Sequence, residues 1–206
     1  MNKTFYKHYV FLEEINELIE LNLLKFKNIH IIINIDQNDK KKLKYQFRII
    51  KFAKKNKIPF IIKNNFQECI KYGAHGIFIE SSNKSTTKPI LLRKDFKIIG
   101  SAHNQLEYTN KKNQSCEVIM LSPLFYNEKY SINKILNIHR FNLITLNWSV
   151  KPCALGGINN KTLRKIKLTK AKIISFRKFI YDPKIKKPPY KLMSAGLIKK
   201  LIILNN

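Results

Sequence analysis

Carboxylates are scarce in this chain: 13 Asp and Glu stand against 40 Lys and Arg in 206 residues, a formal net charge of +27. So few acids leave little material for paired-carboxylate acid–base chemistry. Long apolar runs are missing as well. No stretch reaches the roughly 20 residues of a membrane span, and the first seven residues hold no signal-peptide core. The expectation is a cytoplasmic protein with no membrane partner. Cys69, Cys116 and Cys153 lie far apart in apolar contexts. An odd, unclustered set argues against both a disulfide framework and a thiolate zinc site, leaving three structural thiols. His8, His30, His75 and His139 are scattered and suggest no metal cluster.

What remains is a globular composition, 44% hydrophobic and 11% aromatic, on a chain long enough for one domain with a full core. The positive charge would suit a nucleic-acid binder, since Lys and Arg neutralise phosphates and release counterions. The basic residues, however, are spread over nearly every segment, with short runs only at Lys40-Lys41-Lys42 and Lys184-Ile185-Lys186-Lys187. The chain is equally heavy in Ile and Asn, the mark of a codon bias, and carries no recognition module with interleaved aromatics. Nucleic acid is therefore not expected as the main partner, whereas small anionic ligands are favoured by the same field.

Short Ile-, Val- or Phe-rich runs at 8–12, 29–35, 59–62, 76–79, 97–100, 118–121, 152–155 and 172–175 read as strands. Several are continuous rather than alternating, as in strands buried on both faces. Helical segments alternate with them at 14–26, 40–56, 66–72, 105–112, 132–145 and 162–170, with a last one at 195–204. In the second, Leu43, Phe47, Ile50 and Ala53 make the apolar stripe opposite Lys and Arg. Eight short strands with helices between them predict a single-domain (β/α)8 TIM barrel over residues 1–206, with a Pro-rich connector and helix at 182–206. A doubly wound open sheet is the competitor, weakened because no Gly-rich dinucleotide fingerprint follows an early strand. The glycines of Gly73-Ala74-His75-Gly76 read as a helix C-cap and turn.

In such barrels chemistry sits on the loops after the strands. That rule selects Asn34 and Asp36, Lys63 and Asn64, Glu80 to Asn83, Ser101 and His103, Ser122 to Asn127, Gly156 and Gly157, and Ser175. Amides and hydroxyls dominate this set. Lys63 ends an apolar strand, where it meets a diphosphate or is a solvated rim lysine. His103 caps the next helix, lies against the barrel wall, or works as acid–base. The run Pro152-Cys153-Ala154-Leu155-Gly156-Gly157-Ile158-Asn159-Asn160 is the sharpest local signal. Two residues without Cβ let the backbone bend and approach a ligand, and a helix at 162–170 would present unpaired N–H groups to an anion. The plainer alternative is a tight turn with Asn159 or Asn160 as N-cap.

Four segments then carry a resemblance. Gly73-Ala74-His75-Gly76-Ile77-Phe78-Ile79, Ile98-Ile99-Gly100-Ser101-Ala102-His103-Asn104, Leu121-Ser122-Pro123-Leu124-Phe125 and Ala154-Leu155-Gly156-Gly157-Ile158-Asn159 resemble, in order and spacing, the "GADGVHL", "IIGxSxHN", "LSPVF" and "ALGGIN" motifs of the thiamine phosphate synthase and thiazole tautomerase (TenI) family. Ser122-Pro123 is similar to the synthase branch, because the tautomerase branch often carries His there. The resemblance implies a (β/α)8 barrel, in thiamine biosynthesis, that joins hydroxymethylpyrimidine diphosphate to thiazole phosphate and releases pyrophosphate. It implies phosphorylated pyrimidine and thiazole partners, with Gly156, Gly157 and the Ser175 region on the thiazole phosphate. Lys63 and Asn64 fall where the family has an Asn-Asp pair for the diphosphate and Mg2+, and Asn83 where it has a second metal-binding Asp. Ser101 matches a serine beside the diphosphate and pyrimidine. Lys129, in the loop with Asn127, stands one place early for a family lysine. Asn34, Asp36 and His103 complete the implied substrate-binding set. Mg2+ is thus expected by resemblance, although both of its aspartates appear as the amides Asn64 and Asn83, with Asp36 or Glu80 as the nearest substitutes. Homo-oligomerisation stays open.

Overall fold

The computed structural model describes residues 7–85 and 95–183. Eight strands, β1 (Lys7–Leu12), β2 (Ile29–Ile33), β3 (Phe60–Lys63), β4 (Gly76–Ile79), β5 (Lys97–Ala102), β6 (Val118–Leu121), β7 (Lys151–Leu155) and β8 (Ile173–Phe176), pair in chain order. Every pairing is parallel, and β8 returns to β1 through the register Lys7↔Ile173 to Val10↔Phe176, closing the expected barrel. Around it lie α1 (Glu17–Leu24), α2 (Lys40–Lys55), α3 (Phe66–Tyr72), α4 (Gln105–Asn113) and α5 (Asn137–Ile144).

Period-2 alternation divides each strand between two cores. Tyr9, Phe11, Ile32, Ile61, Phe78, Ile99, Met120, Cys153 and Ile173 fill the barrel interior. Val10, Leu12, Ile31, Ile33, Ile62, Leu121, Ala154, Ile174 and Phe176 pack outward in the second core, together with helix residues such as Ile19, Leu23, Ile49 and Phe141. Burial on both faces explains why these strands read as continuous apolar runs. All three thiols are buried, and burial pushes the pKa of Cys69 and Cys116 up to about 12. They are structural groups, not nucleophiles.

The asparagine enrichment has a local use. Asn16, Asn65 and Asn104 cap α1, α3 and α4, their side chains accepting from Ile19, Glu68 and Glu107 N–H; Asp39 does the same for α2. Each cap satisfies backbone donors that a helix start leaves unpaired. We expect Asn65→Ala to cost about 1 kcal/mol, a fall of roughly 2–4 °C in Tm by calorimetry. Gly73 ends α3 at φ +67, the left-handed cap expected of it.

Four sequence expectations shift. The α2 stripe is Gln46, Ile49, Ile50, Phe52 and Ala53, with Leu43 partly buried. Phe47 is 41% exposed and lies instead against the Tyr72 ring at 5.6 Å. Its place is taken by Gln46, whose buried amide oxygen accepts the Asp36 N–H. Strand β2 stops at Ile33, so Asn34 to Asp36 belong to a loop. The segment 132–145 is not one helix: a 3-10 turn at Ile132–Lys134 precedes Asn137, whose φ of +55 breaks the run and whose side chain caps α5 at Arg140 N–H. The segment 162–170 is a 3-10 turn at Leu163–Leu168; its buried residues Leu163 and Ile166 are three apart, the spacing that a 3-10 turn aligns. Residues 86–89 of the loop after β4, the connector beyond Pro183 and the helix expected at 195–204 lie outside the described residues. Among the described residues no helix is long and apolar enough to cross a membrane.

Candidate active site

Carrying the inward alternation one step past the interior core brings Lys63, Glu80, Ser101, Ser122 and Ser175 to the C-terminal mouth of the barrel. Beneath them Phe11 and Phe78, with ring centroids 5.2 Å apart and edge to face, form an apolar floor with Leu155. A flat heterocycle has a surface to rest on, and polar groups stand around its rim.

On the β3–β5 side the polar groups are already bonded to one another. Lys63 Nζ lies 2.8 Å from Glu80 Oε1. Asn64, at φ +54, donates through Nδ2 to Glu80 Oε2 at 2.9 Å and accepts the Glu80 N–H at 3.0 Å. Ser101 is 7% exposed and its Oγ accepts the Ser81 N–H at 3.0 Å. Asn83 is held further out: its Oδ1 accepts the Ser85 N–H, and its carbonyl accepts from Lys111 Nζ at 2.6 Å and Gln114 Nε2 at 3.0 Å. Lys111 is fully buried on α4, and desolvation lowers its pKa. Its shaft occupies the space beside Gly100, where a Cβ would come within 2.8 Å of its Cδ.

The β6–β8 side is built by close backbone approach. The Leu124 N–H donates to Leu155 O at 2.9 Å and the Phe125 N–H to Gly156 O at 3.1 Å, laying the loop after β6 along the end of β7. Gly156 (φ +94) and Gly157 (φ +66) permit this: a Cβ on Gly157 would stand 2.5 Å from the carbonyl oxygens of Phe125 and Tyr126. The Gly157 carbonyl accepts the Thr162 hydroxyl. The Gly157 and Ile158 N–H groups have no acceptor among the described residues. The following 3-10 turn is not the open helix N-terminus expected there, because Asn159 Oδ1 accepts the Lys161 and Thr162 N–H groups. Asn159 thus closes a turn ahead of the 3-10 segment, whose N-cap is Thr162 and not Asn159 or Asn160, and any anion seat consists of the glycine turn itself. Ser175 beside it is 0% exposed, and its Oγ has no partner among the described residues.

The remaining candidates spread around the rim. Asn34 is exposed. Asp36 turns to α2, accepting the Asn38 N–H and lying 3.6 Å from Lys42, so it does not join the β3–β5 cluster. His103 Nδ1 lies 2.7 Å from the Ser122 carbonyl, placing the ring on the wall, while Asn104 supplies the helix cap. Asn127 Oδ1 turns its loop by accepting the Lys129 N–H; the Lys129 side chain is exposed. Arg177 went unselected by sequence reasoning. Its guanidinium lies 5.0 Å over the Phe11 ring and 3.5 Å from Glu13, two residues past Ser175. Its position just after the β8 run was the available signal. Lys178 reaches Glu128 at 3.2 Å, tying the β8 loop to the β6 loop.

These donors do not suit a magnesium ion. Mg2+ prefers charged oxygens in a strict octahedron. Here both amide oxygens at the implied positions already accept N–H groups, and Glu80, the carboxylate between them, is engaged by Lys63 and Asn64. No group of three or more His, Cys, Asp or Glu among the described residues could hold a metal.

Among solved structures, the chain is similar to the thiamine phosphate pyrophosphorylase from Pyrococcus furiosus (12% identity, TM-score 0.66, covering 85% of this chain and 86% of that one). It is also similar to a cube-shaped porous protein cage designed by fusing symmetric oligomeric domains (9%, 0.62, covering 97% and 77%) and to the YdjI aldolase from Escherichia coli K12 (11%, 0.55, covering 86% and 77%). At these identities the likeness speaks to the barrel alone. No curated protein matches the sequence significantly. The profile for thiamine monophosphate synthase matches residues 11–180, from the end of β1 through all seven later strands, and on that match the chain belongs to the thiamine monophosphate synthase (TenI) family.

Proposed function

We propose that this barrel is a transferase of the thiamine phosphate synthase type, joining hydroxymethylpyrimidine diphosphate to thiazole phosphate. The observation that carries the reading is the β7–β8 corner, where among the described residues the Gly157 and Ile158 N–H groups have no acceptors and the fully buried Ser175 hydroxyl has no partner. A buried hydroxyl left open is costly unless a ligand completes it, and a phosphate would do so while accepting from the partly buried glycine turn. The Lys63 cluster stands on β3 and β4, across the barrel from β7 and β8. Two phosphorylated substrates seated on opposite rims would bring their rings together over the Phe11–Phe78 floor. In the reaction the thiazole nitrogen bonds to the pyrimidine methylene carbon. The carbon–oxygen bond to the diphosphate breaks, and its electron pair leaves with pyrophosphate. Lys63 would stabilise that developing charge, and Ser101, free to donate its own proton, would hold a diphosphate oxygen. Supplying both substrates to the folded protein should yield thiamine phosphate and pyrophosphate in equal amounts, detected by chromatography.

A second reading, a binder without turnover, is favoured by Asn64 and Asn83 standing where the family carries aspartates. It predicts binding of thiazole phosphate, no product, and no gain from the double replacement Asn64→Asp and Asn83→Asp. A silent enzyme would gain product from that replacement.

A further inference from the structure

We infer that the β3–β5 rim holds a diphosphate without a divalent cation, the Lys63 ammonium supplying the charge and Glu80 restraining it. The inference rests on the proposed reading of the mouth as a diphosphate site. An ion placed at Asn64 would have to break the paired bonds between its amide and Glu80, at 2.9 and 3.0 Å. At Asn83 the carbonyl is taken by the Lys111 ammonium at 2.6 Å. A divalent cation there would face a fixed positive charge that is itself buried.

The same contacts make a good anion site. An ammonium has three donors. Glu80 engages Lys63 at 2.8 Å, leaving donors for phosphate oxygens, and Lys63 is only partly exposed, so its charge is less screened than that of a surface lysine. Asn64 fixes the other Glu80 oxygen, so the carboxylate holds Lys63 at the end of β3 instead of following it outward. Lys111 acts at a distance from the anion. With Gln114, which also donates to Ser85 O at 2.6 Å, it pins Asn83 to Ser85 and thereby the strand end that carries Glu80 and the Ser81–Ser101 bond. Glu80 has a cost as well as a use, because a carboxylate beside a diphosphate repels it. The pair is neutral at rest, and an arriving diphosphate competes with Glu80 for the ammonium.

Titration calorimetry of the full chain with inorganic pyrophosphate, in EDTA and in excess Mg2+, tests this. Wild-type affinity should agree between the two buffers within about two-fold, a difference well below the tenfold that about 1.4 kcal/mol represents. Glu80→Gln, which keeps the Asn64 contacts but removes the negative charge, should tighten binding in EDTA by about three- to ten-fold. Lys63→Met should weaken it by about ten-fold or more, as for loss of a charge-assisted bond. Circular dichroism checks folding, and the wild-type comparison needs no variant. Binding at least ten-fold tighter in Mg2+, with that gain abolished by Glu80→Gln, overturns the inference and leaves the diphosphate reading standing with Glu80 as metal ligand. Pyrophosphate binding in neither buffer overturns both.

Discussion

Gly157→Ala should be the most damaging single change at the mouth, costing about 3 kcal/mol and lowering Tm by roughly 6–12 °C. Two effects add. An alanine at φ +66 pays about 1–2 kcal/mol for the left-handed backbone. Its methyl would also stand 2.5 Å from the Phe125 and Tyr126 carbonyl oxygens, so the loop after β6 must lift away and strain or lose the Phe125–Gly156 hydrogen bond. Gly73→Ala separates the two effects. Gly73 has nearly the same φ, +67, but nothing lies within 4 Å of a Cβ there. It should lose only the backbone term. The pair also probes function: inorganic phosphate should raise the Tm of wild type and of Gly73→Ala, and should not raise that of Gly157→Ala. Equal destabilisation of the two variants would mean that the close approach at the mouth is not what the glycine is for.

The barrel was legible because burial on both faces writes itself into composition. Eight apolar runs rich in β-branched and aromatic residues stand at regular spacing, and all eight became strands. Boundaries were weaker where side chains, not periodicity, decide them. Asn137 and Asn159 end or replace helical runs by bonding nearby backbone N–H groups, a competition that an apolar pattern does not register. Phe47 shows the same limit within a well-placed helix. A hydrophobic residue at the right offset still faces outward when a neighbouring ring, Tyr72, gives it cover, and Gln46 moves in because Asp36 offers it a backbone donor. At the mouth, the strand-end rule found Lys63, Asn64, Glu80, Ser101 and Ser175. It could not reveal that Glu80 binds Lys63 and Asn64 together, since that bond joins residues on two strands. Lys111 was invisible for another reason. In a chain with 40 basic residues, one more lysine on a helix reads as solvated surface, and only packing against Gly100 and Cys116 places it inside.

Acid should destabilise this protein well before its carboxylates titrate. His8 is 1% exposed, packed against Phe26 and Phe176 at ring distances of 5.5 and 6.3 Å. Burial pushes its pKa down to about 4 from an ordinary 6.5, against a smaller raising effect from the Asn28 backbone. His30 is driven to about 4 as well, first by burial and then by the charges of Lys7, His75, His8 and Lys97. Between pH 6.5 and 4 the unfolded chain therefore takes up protons that the folded barrel refuses, and stability falls with pH. Above 6.5 both states are neutral at these rings; below about 4 both are charged, and the dependence flattens. For His8 the gap amounts to roughly 3 kcal/mol. His30, less buried, adds less, and salt should trim its share by screening the lysines. Thermal melts from pH 7 to 4 should therefore fall by roughly 6–12 °C from these histidines alone, the fall beginning near pH 6.5, above the carboxylate range. His8→Phe suits the aromatic surroundings and removes the titrating group, so its profile should be markedly flatter over that window, whatever its absolute Tm. A slope as steep as that of wild type would place the acid sensitivity elsewhere in the barrel.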